Sequence, residues 1–301
     1  MGITAPRRLT LNEGRDFPAA WTADSKAIVF VSNRNGQWEL FRQSLNEDTA
    51  QSITAVSAGE AERTEAGEFS PTVPRISPDG AWMLYLIWTK ADSSAAQVEL
   101  MRVPVTGGPP QLVLTASQRL IHSLRCARSP ARLCAIAERA PDHRQLIFTA
   151  FDPVKGRGPE LTRFSTSPTP DSEYAWDLPP DGTGIAVLKR SEATIHILSL
   201  SRQPSREVVV RGWTGLQTLD WAADGTGLFV SIAREGGSAL LHLDLKGSGQ
   251  LLWASKGTVE PGISAFLGGP TVPWAVPSPD GRHLAICEWN LSANIWMMEN
   301  F

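Results

Sequence analysis

The chain has 301 residues, 42% of them hydrophobic, enough apolar surface for one large domain. Its 28 basic and 31 acidic side chains leave a net charge of -3 with no long run of either sign, which argues against a nucleic-acid surface. With 25 Gly and 22 Pro there is little room for long helices, and the longest uncharged stretch, residues 261–279, holds five Pro and three Gly and cannot span a bilayer as a helix.

The first predicted element, residues 6–11 (Pro-Arg-Arg-Leu-Thr-Leu), has the pattern of a fourth strand with no first three before it. From there one unit recurs six times: a short apolar strand, a Pro-Asp-Gly-type turn and two further strands. The turns are Trp21-Thr22-Ala23-Asp24-Ser25, Ser77-Pro78-Asp79-Gly80, Ser129-Pro130-Ala131-Arg132, Pro179-Pro180-Asp181-Gly182, Trp221-Ala222-Ala223-Asp224-Gly225 and Ser278-Pro279-Asp280-Gly281. Their reference positions, 24, 79, 131, 181, 224 and 280, lie 55, 52, 50, 43 and 56 residues apart, a period that means a propeller or a related array.

Short apolar runs follow each turn, at residues 28–31, 82–88, 133–138, 185–188, 228–232 and 284–289. Their length and their Gly and Pro boundaries predict strands. Third strands are expected at 38–45, 98–105, 144–152, 194–200, 239–245 and 294–300, and fourth strands at 51–56, 111–115, 160–164, 206–210 and 250–254. The sixth unit has no fourth strand of its own. Residues 6–11 supply it, which closes the ring and removes an open sheet edge. The expected fold is all-β: one domain over 1–301, a six-bladed propeller of four-stranded antiparallel blades at about 16–57, 72–116, 120–165, 172–211, 215–255 and 271–301, the last blade completed by 6–11.

A chemical inventory yields little that is catalytic. Gly262-Ile263-Ser264-Ala265-Phe266 lacks the last Gly of a nucleophile elbow. The Gly-Thr-Gly runs at 182–184 and 225–227 sit in turns between strands and have no following helix to hold a phosphate. The five His are scattered, with no zinc-ligand spacing, and neither a metal nor a cofactor is expected. The repeated turn Asp residues read as caps of their own turns, not as a carboxylate ring. Cys126 and Cys134 flank the third turn, where they can face each other as a disulfide or pack as two small hydrophobes. Most of the 11 Trp read as packing between blades.

These units, above all Phe17-Pro18-Ala19-Ala20-Trp21-Thr22-Ala23-Asp24-Ser25 with Ile28-Val29-Phe30-Val31-Ser32-Asn33-Arg34-Asn35-Gly36, Trp38-Glu39-Leu40-Phe41 and Arg8-Leu9-Thr10, resemble the TolB-type propellers with WD-repeat-like units over essentially the whole chain. Blade three departs, with Ala131-Arg132 where Asp-Gly is expected. The resemblance implies a partner-binding or ligand-sensing platform of the kind found at the carboxy-terminal end of bacterial signalling proteins beside a kinase or winged-helix regulator. That warrant is one of fold.

Topology gathers the loops joining second to third strands at one end. They carry the candidate binding residues Arg34, Trp88, Arg139, Arg144, Arg190, Arg234 and Trp289, since Arg and Trp are enriched at binding hot spots. For Arg34 the alternative is a brace for the Asn35-Gly36 hairpin. The long connections at 57–72 and 255–271 would border the same face. On the first strands Arg75, Asp177 and Asp220 share one repeat position, four before the reference residue, and would line the axis, pairing with one another or with a ligand.

The favoured expectation is therefore a monomeric, non-enzymatic platform for a protein or peptide partner, with a small ligand as the other occupant. The alternative is the substrate-gating propeller of a serine hydrolase whose catalytic domain is absent from this chain. A lyase or lactonase working in its own channel would need a metal or an acid–base cluster that the sequence does not bring together. Without an apolar leader the chain is expected in the cytoplasm, or in the periplasm as part of a longer membrane-anchored parent.

Overall fold

In the computed structural model the described residues are 6–11, 16–36, 38–55, 74–90, 96–116, 120–166, 174–235, 237–256, 274–289 and 293–299. Apolar runs bounded by turns give twenty-four strands among them, arranged as six four-stranded antiparallel sheets, and no helix. The chain opens with β1 (Arg7–Arg8). Blade one follows as β2 (Asp16–Trp21), β3 (Ala27–Ser32), β4 (Glu39–Ser44) and β5 (Gln51–Ala55), and blade two as β6 (Arg75–Ile76), β7 (Trp82–Lys90), β8 (Ala96–Pro104) and β9 (Gln111–Ala116). Blade three is β10 (Leu120–Cys126), β11 (Cys134–Arg139), β12 (Gln145–Asp152) and β13 (Gly156–Ser165). Blade four is β14 (Tyr174–Asp177), β15 (Gly184–Lys189), β16 (Thr194–Ser199) and β17 (Arg206–Val209). Blade five is β18 (Leu216–Trp221), β19 (Gly227–Arg234), β20 (Gly237–Asp244) and β21 (Gly249–Lys256), and blade six β22 (Trp274–Pro277), β23 (His283–Trp289) and β24 (Ala293–Glu299).

Blade six is completed by β1, with Arg7 opposite Met297 and Arg8 opposite Trp296, and Leu9 N donates to Ile295 O at 2.8 Å. The six-bladed ring closed by its first strand is thus the expected fold. β13 is longer than the five residues predicted for it, running from Gly156 with two register shifts against β12.

Burial follows the blade from axis to rim. Every residue of β3 is buried, because a second strand is covered on both faces by neighbouring blades, whereas β13 is mostly exposed. The apolar core is divided into six clusters among the described residues, one in each gap between adjacent blades. Phe30, Phe148, Phe229 and Trp176 fill these wedges with under 2% exposure, each contributing roughly 2–3 kcal/mol of burial. Trp176 packs edge-on against Phe148 with ring centroids 5.2 Å apart.

The turns between first and second strands are closed alike. Gly80 N donates to Ser77 O and Ser77 N to Trp82 O, both at 2.8 Å, and the same pair of bonds recurs at Thr22, Ala222 and Ser278. The turn Asp caps its own loop as expected: Oδ1 of Asp24, Asp79, Asp181, Asp224 and Asp280 accepts the backbone N–H two residues on, at 2.9–3.1 Å. In blade three the closing bond runs from Ala127 N to Leu133 O, so this turn spans one residue more than that from Ser77 to Trp82. Cys126 lies directly opposite Cys134, and the two form a disulfide with Cα atoms 4.0 Å apart.

Candidate functional site

Each first strand ends at the axis, and the residue two before the turn-closing position faces the centre. Pairing with the second strands aligns six equivalents: Ala20 opposite Val29, Arg75 opposite Leu84, Arg125 opposite Ala135, Asp177 opposite Ala186, Asp220 opposite Phe229 and Val276 opposite Ala285. Around the ring, two cationic positions are followed by two acidic ones and then by two apolar ones. Arg75, Asp177 and Asp220 are where the repeat predicted. Arg125 was missed because counting back four from Ala131 lands on Ala127, and the longer turn of blade three displaces the count.

These side chains line a cavity of about 300 Å³ at the end of the propeller that carries the first-to-second-strand turns. Arg128, on the turn of blade three, lines it too and reaches across the axis, donating from Nη2 to Pro277 O of blade six at 3.3 Å. Its Nη1 is buried without a hydrogen-bond partner. Trp221 Nε1, in the wall of the same cavity, is likewise a buried donor without a partner, whereas the equivalent Trp21 Nε1 donates to Val276 O at 2.7 Å. Unmet donors of this kind are rare in folded proteins.

Among the described residues, one ion pair closes within the ring. Arg125 Nε lies 3.1 Å from Asp177 Oδ1, and Asp177 Oδ2 accepts Trp221 N at 2.8 Å. Arg75 instead donates to the carbonyls of Pro74 (3.1 Å) and Ala19 (3.5 Å). Among the described residues, the Asp220 carboxylate accepts no hydrogen bond and meets no cation within ion-pair distance. Burial, then the neighbouring Asp177, pushes Asp220 up to about 7 against the pull of Arg125, Arg75 and Arg128. Burial, reinforced by Arg125, brings Arg75 down to about 10, and burial lowers Arg128 as well. Three guanidiniums against two carboxyls leave the site cationic, with one carboxyl able to hold or release a proton near neutrality.

The loop-face candidates stand at the opposite end, where second strands join third strands. Arg34 donates to Ser32 Oγ and Asp16 Oδ1 at 3.1 Å and lies over the rings of Phe30 and Phe41, which makes it a brace. Arg139 is buried, donating to His143 O at 3.1 Å with its guanidinium 5.5 Å from the Tyr174 ring centroid. Arg190 Nε bonds Gln217 O of the next blade at 2.9 Å. Arg144 and Arg234 are exposed. Trp88 and Trp289 sit at the ends of β7 and β23, opposite Val98 and Ala293, and their side chains lie outside the described residues, as do 57–72 and nearly all of 255–271. Among the described residues no three His, Cys, Asp or Glu side chains gather as a metal-ligand set, and no helix is long and apolar enough to cross a membrane.

No family model matches the chain, and no curated protein sequence does. Solved structures do. An oligogalacturonate lyase in complex with manganese aligns over 99% of this chain and 96% of its own, with a TM-score of 0.59 and 12% identity. A chain from Agrobacterium tumefaciens provisionally named TolB aligns over 95% and 90%, at TM-score 0.54 and 17% identity. A puromycin hydrolase mutant complexed with PGG aligns over 94% of this chain but 44% of its own, at TM-score 0.52 and 18% identity. At these identities the likeness is one of fold, and that fold includes TolB-type propellers.

The expectation that the chain is not an enzyme is overturned here. It rested on the absence of a local motif, yet the same architecture, nearly end to end, is that of a protein named as a lyase. The physical reason is that an axial set is assembled from several blades: Arg75, Arg125, Arg128, Asp177 and Asp220 come from blades two to five, so no short motif gathers them.

Proposed function

We propose that the axial cavity is the ligand site of this propeller and that it takes a small organic anion, the chain serving as a binding or sensing module for it. The observation that carries this reading is the surplus of guanidinium in the axial cavity, with Arg128 Nη1 buried and unmet. A carboxylate is the group that satisfies planar N–H donors of this kind. Its volume of about 300 Å³ is at the small end of ligand pockets, which favours a compact ligand over a folded partner. Calorimetric titration of the full chain with small carboxylates tests it. Binding that weakens about tenfold or more in Arg128→Gln, with the melting temperature held, supports the site. Binding untouched by that change removes it.

A second reading is favoured by Asp220, whose proton affinity lies near neutrality beside guanidiniums. In it the bound anion is also turned over, Asp220 taking a proton from the carbon next to the carboxylate while the arginines stabilise the developing negative charge. Deuterium appearing at that carbon in D2O, followed by proton NMR and abolished in Asp220→Asn, is the expected result. No exchange above the rate without protein rejects it.

A further inference from the structure

The axial cavity holds more than an excess of positive charge. With Arg125 and Asp177 paired to each other, the groups left to a ligand are Arg75, Arg128 and Asp220. Arg128 Nη1 is buried and needs an acceptor, and the Asp220 carboxylate, which accepts nothing among the described residues, lines the same cavity and is open to a donor. With Asp220 ionised, a bare carboxylate answers the first need and leaves the second open. An amino acid answers both but is electrically neutral, and it would place an ammonium group where three guanidiniums already outnumber two carboxyls. A carboxylate carrying a hydroxyl answers both and brings one negative charge, equal to the surplus left when both Asp are ionised.

Resting on the anion-site reading above, we propose that the ligand is a small hydroxycarboxylate, its acid group held by Arg128 and Arg75 and its hydroxyl donating to Asp220. The apolar arc of Ala20 and Val276 then faces the carbon skeleton. Sites built around a substrate hydroxyl discriminate strongly against the analogue that lacks it, because the protein group is then left unpaired.

The test titrates the full chain calorimetrically with matched sets of acids of about three to six carbons, the range a cavity of this size admits. Lactate, propionate and alanine form one set; gluconate, hexanoate and norleucine another. At a pH of about 8, where Asp220 is ionised, the hydroxy acid of at least one set is expected to bind about tenfold or more tighter than both counterparts. That preference is expected to collapse to about twofold or less in Asp220→Leu, or in Asp220→Asn should the leucine variant not fold, while Arg128→Gln weakens hydroxy and plain acids together. Deoxy acids binding as tightly as hydroxy acids, with the Arg128→Gln loss intact, would overturn the hydroxyl assignment and leave the anion site standing. Amino acids binding tightest would overturn the charge argument. No binding by any probe to the folded wild-type chain would overturn both the inference and the reading beneath it.

Discussion

Two sets of equivalent positions lie within a few residues of each other in every blade and behave in opposite ways. At the turn, Asp recurs in five of the six blades and closes its own loop each time through the N–H two residues on. At the axis, the same six blades present Ala20, Arg75, Arg125, Asp177, Asp220 and Val276. Repetition marks what each blade needs to fold by itself, whereas variation at one fixed position marks what the ring as a whole is built to hold.

The sharpest break in that contrast is at the axis. Arg125→Ala strands the Asp177 carboxylate between blades, and denaturant unfolding is expected to record a loss of about 3 kcal/mol. Arg125→Ala combined with Asp177→Ala is expected to cost less than the sum of the two single changes, since neither charge is then left alone.

The two kinds of Asp also respond oppositely to pH. Asp24 and Asp79 are held below the usual carboxylate range, first by the hydroxyls of Thr22 and Ser77 and then by backbone N–H groups. Their contribution is therefore present above the unfolded value of 3.8 and lost as pH falls through their folded values. Asp220 is raised, so the native state keeps a proton that the unfolded chain has released. Its contribution is full below 3.8 and lost as pH rises to about 7. Urea midpoints across that interval are expected to fall with pH in the wild type and to flatten in Asp220→Asn; equal slopes would refute the assignment.

Smaller effects are expected away from the axis. Asp79→Ala, which removes the acceptor for Ala81 N, is expected to cost about 1 kcal/mol and to leave ligand affinity unchanged. The exposed Arg234→Ala on the opposite face is expected to stay within about 0.5 kcal/mol of wild type by the same unfolding measurement.

The blade count, the strand order and the closing role of Arg7 and Arg8 were legible because each depends on short-range signals: a turn with Asp and Gly, and an apolar run beside it. Half of the axis was legible for the same reason, since Arg75, Asp177 and Asp220 stand at a constant offset from well-formed turns. Arg125 and Arg128 were not, because the offset fails in blade three, where Ala127 N reaches Leu133 O across a longer turn. On the loop face, the bracing of Arg34 was legible from its Ser32 neighbour and the Asn35-Gly36 hairpin. For Arg139 residue type alone suggested binding, and its contact with the Tyr174 ring is one that no local pattern encodes.

The disulfide of blade three acquires a meaning from this arrangement. A strand that slides by one residue against its partner turns every side chain to the other face, and such slippage would carry Arg125 off the axis and put Leu124 or Cys126 in its place. The blade with the irregular turn is the one least protected from such sliding by its loop, and it contributes two of the three axial guanidiniums. The covalent link between Cys126 and Cys134, at the last pair of that ladder, works as a peg that fixes which residue arrives at the centre.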